Sequence, residues 1–123
     1  MTESTVPEWW RTDVEHAPAV FASEFLHKPI PSSDDASLDF EAWWKQPMSS
    51  GERVLVALAW CLYNLGWAKE QEAREAKRKT YSGGPLFWSN PSRAAASLGG
   101  SHLAAYFHML KLGGAHTSEM ADA

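Results

Sequence analysis

Histidine and cysteine side chains are the groups in this chain whose spacing would most readily reveal a metal site. The chain has five histidines and one cysteine. Two imidazoles four residues apart share one face of a helix and can bind the same ion, and Cys-x-x-Cys pairs also bind metals. Neither pattern occurs, so the sequence predicts no metal site and no cofactor. The histidines are His16, His27, His102, His108 and His116.

The one cysteine, Cys61, lies inside the most apolar stretch of the chain, residues 54–65. Burial raises the pKa of a thiol and makes it inert, so we expect Cys61 to pack in the core. The chain also lacks a Gly-x-Ser-x-Gly motif and a glycine-rich phosphate loop. We therefore predict a non-enzymatic protein without catalytic residues. A helical enzyme whose site assembles from distant residues is a further alternative, which a deep polar pocket holding His102 or His108 beside an acid would favour.

Residues 92–106 have the outline of a helix-turn-helix, in which a serine opens the second helix after a turn glycine. The start of that helix offers polar side chains to base edges but no Arg, Asn or Gln, and the net charge is −4. DNA or RNA binding is therefore the alternative function, and an αα-hairpin packed on the core is the structural alternative. Nucleic-acid binding would use Lys77, Arg78, Lys79, Arg93, Ser101 and His102.

Seven tryptophans in 123 residues stand out in the composition. Tryptophan buries a large area and keeps one N–H donor, so it is common in cores and at interfaces, and we expect about four or five of the seven to be buried. Adjacent tryptophans on a helix point about 100° apart and cannot both face inward easily. Exposed aromatic residues would hold a protein partner. The candidates for protein binding are Trp9, Trp10, Trp43, Trp44, Phe87 and Trp88.

Charge is distributed unevenly along the chain. Residues 1–52 contain ten acidic and three basic residues, a balance of −7. Residues 53–123 contain five acidic and eight basic residues, a balance of +3. Such asymmetry arises when an acidic half folds against a basic half, or when the two halves form different binding faces. In the second case the acidic half would steer the protein towards a basic surface.

The elements that would position these residues begin with an irregular N-terminal arm over residues 1–17. Residues 18–27 predict a short helix that begins with a proline. Residues 29–36 contain two prolines and a Ser/Asp cluster, which indicates a loop. A second short helix is predicted over about residues 37–46, and the proline that follows directly ends it.

The clearest local signal opens the central helix. Ser49 and Glu52 have the spacing of a capping box and stand directly before the long apolar run. The run predicts a central hydrophobic helix over about residues 52–65, surrounded by other elements. The charged segment that follows allows this helix to continue to residue 79, with Gly66 as a kink or an end.

The C-terminal part predicts a loop over residues 80–90 and then an αα-hairpin over about residues 91–112. Asn90 before a proline has the pattern of an N-cap, and Ser101 can cap the second helix of the hairpin. Two glycines between them break the first helix. We expect a disordered tail at residues 115–123.

No alternating pattern of apolar residues occurs, so the sequence predicts an all-α fold, a small single-domain helical bundle over residues 1–114. We expect no membrane association, because there is no signal peptide and no apolar stretch of about 20 residues. A single cysteine favours a reducing setting, and we expect the cytoplasm. The functional hypothesis is a protein-binding adaptor, accessory subunit or inhibitor, acting on a protein partner or within a larger assembly. The sequence leaves a homo-oligomer open.

Overall fold

Seven α-helices and one 3-10 helix form the regular structure of the described part of the chain. The computed structural model describes residues 7–31, 38–79 and 83–114. No strand occurs in these segments, so the predicted all-α single-domain fold is confirmed. The tail expected at residues 115–123 lies outside the described residues. The 3-10 helix spans Glu8–Arg11, and the helices are α1 (Ala17–Leu26), α2 (Phe40–Trp44), α3 (Ser50–Tyr63), α4 (Leu65–Ala76), α5 (Pro85–Ser89), α6 (Pro91–Ser97) and α7 (Gly100–Leu112).

The helix α3 is the centre of the bundle, as its sequence predicts. The Ser49 side chain accepts a hydrogen bond from the backbone N–H of Glu52 at 3.2 Å. The Glu52 carboxylate accepts one from the backbone N–H of Ser49 at 2.9 Å, which completes the predicted capping box. All nine residues from Val54 to Leu62 are buried. The run is apolar on every side because α1, α2, α5 and α7 all pack against it.

The central helix ends at Tyr63, and α4 is a separate helix that begins at Leu65, with Asn64 between them. Asn64 has an extended backbone conformation with φ −158° and ψ 94°. Its side-chain oxygen accepts a hydrogen bond from the backbone N–H of Trp67 at 3.0 Å and caps the first turn of α4. The predicted continuation to residue 79 is therefore wrong. Gly66 lies within α4 and neither ends nor begins a helix.

The short helix α5 occupies residues 85–89, where the sequence predicts a loop, and that prediction is wrong. Its N-cap, Gly84, has no side chain that could cap the helix. The carboxylate of Glu72, on α4, accepts hydrogen bonds from the backbone N–H groups of Gly84, Leu86 and Phe87 at 3.3, 3.0 and 3.1 Å. A local sequence pattern does not contain this acceptor, because it comes from another helix.

The helices α1 and α7 run antiparallel, and two phenylalanine rings of α1 pack against two histidine rings of α7. The ring centroids of Phe21 and His108 are 4.6 Å apart, and those of Phe25 and His102 are 5.1 Å apart. Each histidine therefore contacts one phenylalanine of α1. The predicted helix at residues 18–27 is confirmed in outline, and it ends at His27 in a left-handed conformation with φ 57°.

The connection between α6 and α7 differs in detail from the predicted hairpin. Asn90 caps α6 as predicted, with its side-chain oxygen 2.8 Å from the backbone nitrogen of Ser92. The helix α7 begins at Gly100, and its N-cap is Gly99. Ser101 is thus already inside the helix, and the prediction that it caps α7 is wrong. The extended conformation at Leu98 and Gly99 ends one helix and begins the next without a side-chain cap.

Both tryptophans of α2 are buried, although adjacent positions on a helix diverge. The Trp43 ring stacks on Phe40, with centroids 5.7 Å apart, and Trp44 packs edge-on against Trp60 at 5.8 Å. The Arg53 guanidinium lies over the Trp44 ring, 4.6 Å from its centroid. The sequence predicts that adjacent tryptophans cannot both face inward easily, yet both are buried, because each packs against a different neighbour and Arg53 of α3 lies over Trp44.

Helix length bears directly on membrane insertion. A crossing requires about 20 apolar residues. The two longest helices of the described segments, α3 and α7, have 14 and 13 residues. None of the helices in residues 7–31, 38–79 and 83–114 has the length and apolar character to span a bilayer.

Candidate functional site

Three large apolar side chains are exposed in the described part of the chain: Trp9 at 58%, Phe87 at 39% and Phe107 at 56%. Of the six residues predicted to bind a protein, Trp10, Trp43 and Trp44 are buried and belong to the core. Trp88 is half-buried, so Trp9, Phe87 and part of Trp88 are the candidates whose side chains are exposed to a partner. The predicted number of buried tryptophans is confirmed, since these three and Trp60 are buried.

Phe87 is held in place by the start of α5. Gly83 has a positive φ of 94°, and a Cβ added there would overlap the ring of Phe87. The ring therefore lies directly on the glycine backbone, which a larger residue would push away. Gly84 fits as closely against α4, because a Cβ there would lie 2.8 Å from the Cα of Glu72. Two glycines and the cap from Glu72 thus fix the position of the Phe87 side chain.

Arg93, on α6, lies in a corner formed by the two aromatic rings of α5. Its Cζ atom is 4.4 Å from the ring centroid of Phe87 and 4.6 Å from that of Trp88. The two rings stand nearly perpendicular, at 88°, with centroids 5.9 Å apart. A guanidinium over an aromatic ring is attracted by the partial negative charge of the ring face, and the attraction grows when water is excluded. The three side chains stabilise one another in this arrangement.

The Arg93 guanidinium has no acidic partner among the described residues. Its Nε atom is buried and makes no hydrogen bond. No carboxylate of the described segments lies within ion-pair distance of it; the ion pairs there join Arg11 to Glu8 and Glu24, His16 to Asp13, Lys28 to Glu52, Arg74 to Glu41 and Arg78 to Glu75. A guanidinium that makes no hydrogen bond to the described residues has donors that a ligand can use.

A cleft of about 230 Å³ opens beside this corner and is lined by Phe87, Asn90, Ser92 and Arg93. We call it the Phe87 cleft. It combines an aromatic face, one cation and two small polar side chains. Among the described residues, this lining includes no carboxylate, imidazole or thiol.

The residues predicted to bind nucleic acid are not gathered by a common contact. Arg93 belongs to the aromatic corner, and the ring of His102 packs against Phe25 of α1. Ser101 is exposed in the first turn of α7. The run Lys77, Arg78 and Lys79 is exposed just after α4 ends, and Arg78 pairs with Glu75 at 3.2 Å. The structure instead joins Arg93 to Phe87 and Trp88, which the sequence assigns to a different function.

Cys61 is part of a buried polar group. Its Sγ atom lies 3.5 Å from Oγ of Ser89, and the Tyr106 hydroxyl donates a hydrogen bond to the Ser89 carbonyl oxygen. Burial raises the pKa of Cys61 to about 12, and burial likewise raises the pKa of Tyr106 to about 12. The predicted packing role of Cys61 is confirmed.

A second depression, of about 190 Å³, lies between α1 and α7, and its lining includes His108, Phe21 and Glu24. This is the environment that would favour an enzyme if the histidine and the acid interacted. Glu24 instead forms an ion pair with Arg11 at 2.6 Å, and the His108 ring packs on Phe21. No hydrogen bond joins His108 to an acid in the described segments.

A histidine–carboxylate pair that the sequence analysis did not identify lies before α1. His16 Nδ1 is 2.6 Å from Asp13 Oδ2, and the imidazole is buried between the rings of Trp10 and Tyr63. The His16 side chain, followed by two backbone N–H groups, lowers the pKa of Asp13. Glu15 lies close enough to complete a group of three metal-binding side chains. The three-residue spacing of Asp13 and His16 is the available signal, but it indicates a local turn as readily as a site.

Comparison with known proteins adds no assignment: no family model matches the chain, and neither a curated protein nor a solved structure matches it significantly.

Proposed function

We propose that this chain is a non-enzymatic protein-binding subunit, an adaptor or accessory component, that docks a segment of its partner in the Phe87 cleft. The single observation that carries the proposal is Arg93, an arginine without an acidic partner in the described segments, held against two partly exposed aromatic rings. Tryptophan and arginine are among the residue types most enriched where a few side chains dominate the binding energy of a protein interface.

The preorganisation of the cleft supports this function. Ordering a long side chain on binding costs about 0.5–1.5 kcal/mol, and the rings of Phe87 and Trp88 already restrain the Arg93 side chain. The backbone beneath Phe87 is also restrained, because Glu72 caps α5. A partner would therefore meet a surface that loses little conformational entropy when it binds.

The distribution of charge supports a role for the acidic half in the encounter. One ion pair among the described residues crosses between residues 1–52 and 53–123, namely Glu41 with Arg74 at 3.2 Å. The described part of residues 1–52 contains seven acidic and three basic residues, a balance of −4, and this pair offsets one of these charges. Long-range attraction of this kind raises association rates and is weakened by salt.

A capture experiment with matched variants tests the proposal. The purified chain, its Phe87→Ala variant and its Phe107→Ala variant would each be immobilised and exposed to nuclease-treated lysate of the source organism. Phe107 is the control because it is an exposed phenylalanine on α7, which does not line the Phe87 cleft. A stoichiometric protein retained by the first and third baits, and reduced at least about tenfold on Phe87→Ala, would support the proposal. Equal recovery on all three baits would overturn it.

The helix-turn-helix alternative gives a different result in the same experiment. The outline is present, since α6 and α7 are separated by Leu98 and Gly99, and Ser101 is exposed. Binding through this hairpin would recover nucleic acid from untreated lysate and lose it after nuclease treatment. It would also weaken steeply with salt and on neutralising Lys77–Lys79, whereas Phe87→Ala would have little effect.

A further inference from the structure

We infer that the Phe87 cleft recognises a carboxylate: its occupant is an acidic segment of a partner protein in which an Asp or Glu stands next to an apolar residue. This inference rests on the proposed function and specifies the chemistry of the partner. It concerns the short-range recognition at the cleft, whereas the acidic half of the chain acts at long range.

The arginines of the described segments differ in whether an oxygen acceptor lies within reach. Every other arginine of the described segments has an oxygen acceptor, and Arg93 has none. The pairs are Arg11 with Glu24 at 2.6 Å, Arg53 with the Trp44 carbonyl at 3.4 Å, Arg74 with Glu41 at 3.2 Å and Arg78 with Glu75 at 3.2 Å. Since an arginine fork matches a carboxylate with two parallel hydrogen bonds, a carboxylate is the acceptor that this position lacks.

The geometry determines which part of Arg93 is available to the ligand. Its Nε atom is buried, and the faces of Phe87 and Trp88 hold the guanidinium. A ligand that enters the cleft therefore reaches the guanidinium through the terminal Nη groups. Asn90 and Ser92 complete the lining with an amide and a hydroxyl, which suit the backbone of an incoming segment.

The aromatic side of the cleft determines what accompanies the carboxylate. The Phe87 ring is 39% exposed and faces the same cleft as Arg93. An apolar side chain next to the acid would cover this ring and exclude water from the ion pair, which strengthens the electrostatic attraction. An acidic residue alone, without the apolar neighbour, would leave the pair solvated and weak.

A carboxylate fits the cleft better than the phosphate backbone of a nucleic acid. The described residues of the lining supply one cation and an aromatic face. Binding to a phosphodiester backbone draws on several lysines and arginines that follow successive phosphates. A single arginine beside an apolar surface instead matches one acidic group next to one apolar group.

A peptide-display selection on the intact chain tests the inference and requires no identified partner. A random library of about twelve residues would be selected on the wild-type chain, on Phe87→Ala, on Arg93→Met and on Lys111→Met. Lys111→Met is the matched control, because it removes one exposed positive charge on α7, away from the cleft lining. The wild-type chain and the control should enrich sequences with an acid next to an apolar residue. Arg93→Met should lose the preference for the acid, and Phe87→Ala should lose the enriched set.

The best peptide then separates recognition from folding. Replacing its Glu by Gln, or its Asp by Asn, leaves the protein unchanged and should lower the affinity for the wild-type chain at least about tenfold. The same replacement should have little effect on binding to Arg93→Met.

The outcomes distinguish the inference from the proposed function. Peptides that depend on Phe87 but show no preference for an acid would overturn the inference that the cleft recognises a carboxylate. They would still support the proposal that the cleft binds a protein segment. The absence of any peptide that depends on Phe87 would overturn both. Displacement of the peptide by a short single-stranded oligonucleotide at similar concentration would also overturn the inference, since it would assign the cleft to a nucleic acid.

Discussion

The Glu72 carboxylate on α4 accepts a hydrogen bond from the backbone N–H of Leu86 on α5, with 3.0 Å between Oε1 and the nitrogen. The two residues are 14 positions apart and belong to different helices. The same carboxylate also accepts from the N–H groups of Gly84 and Phe87. One side chain therefore caps α5, joins it to α4 and fixes the backbone of the residue that forms the aromatic side of the cleft.

Glu72→Ala should lower the free energy of unfolding by about 1–3 kcal/mol, because it leaves backbone N–H groups without their acceptor. It should also weaken binding at the Phe87 cleft, since Phe87 donates one of these hydrogen bonds. Urea unfolding measures the first effect and a peptide titration the second. Glu70→Ala is the control: Glu70 is exposed on the same helix, and its loss should change stability by no more than about 0.5 kcal/mol. Equal effects of the two changes would contradict the capping role.

Gly83→Ala should destabilise the chain by about 1 kcal/mol or more, for two reasons. The positive φ of 94° is strained for any residue with a side chain, and the new Cβ would overlap the Phe87 ring. The control is Gly100→Ala, at the first position of α7, where a Cβ meets nothing within 4 Å. That change should be neutral or stabilise by a few tenths of a kcal/mol. Thermal unfolding of both variants would show the contrast, and a stabilised Gly83→Ala would refute the placement of the ring.

Asn64→Ala should lower stability by about 0.5–2 kcal/mol, because it removes the acceptor for the backbone N–H of Trp67 at the start of α4. Asn64→Asp and Asn64→Ser keep an acceptor of similar reach and should cost much less. Urea unfolding of the three variants tests the cap. If all three lost the same stability, the extended backbone at this position, and not the side chain, would be responsible for separating α3 from α4.

Cys61 should resist alkylation for as long as the chain is folded. Burial raises its pKa from the usual 9.0 to about 12, so the reactive thiolate is a very small fraction of the folded protein at neutral pH. Labelling with iodoacetamide, followed by mass spectrometry, should therefore be slow in buffer and fast in urea. Rapid labelling in buffer would show that α3 and α5 separate readily around Cys61 and Ser89.

Asp13 should make stability depend on pH in the acid range. Its hydrogen bond with His16 and then two backbone N–H groups lower its pKa below the usual 3.8. A carboxyl with a lowered pKa in the folded state contributes its full stability above the pKa of the unfolded chain. That contribution is lost as the pH falls through the lower pKa of the folded chain.

Asp13→Asn keeps acceptors but cannot titrate, so it isolates this effect. The stability advantage of the wild type over the variant should be constant above about pH 5 and should shrink steadily towards about pH 2. Urea unfolding at several pH values measures it. An advantage that stayed constant over this range would mean that His16 does not stabilise the ionised form of Asp13.

The features that can be predicted correctly from the sequence alone depend on neighbours a few residues apart. Ser49 and Glu52 are three residues apart and cap α3, and Asn90 caps α6 within two residues. The run Val54–Leu62 indicates the buried helix because no side of it is polar. Such patterns are visible in one dimension because a helical turn brings residues three and four positions apart together. Asn64 offers a similar local signal, which the glycine two residues later obscures.

Some features depend on a side chain of one helix that caps or covers another helix, and these follow only from the packing of the helices. Glu72 provides the cap that makes residues 85–89 helical, and Arg53 covers Trp44 so that both tryptophans of α2 are buried. The cleft arises in the same way, because Arg93 from α6 lies between the two rings of α5. The sequence places these side chains in a loop and a hairpin with separate functions. They form one site because side chains that lack a partner within their own segment pack against side chains of a neighbouring helix. Which side chains meet in this way depends on three-dimensional packing and not on spacing along the chain.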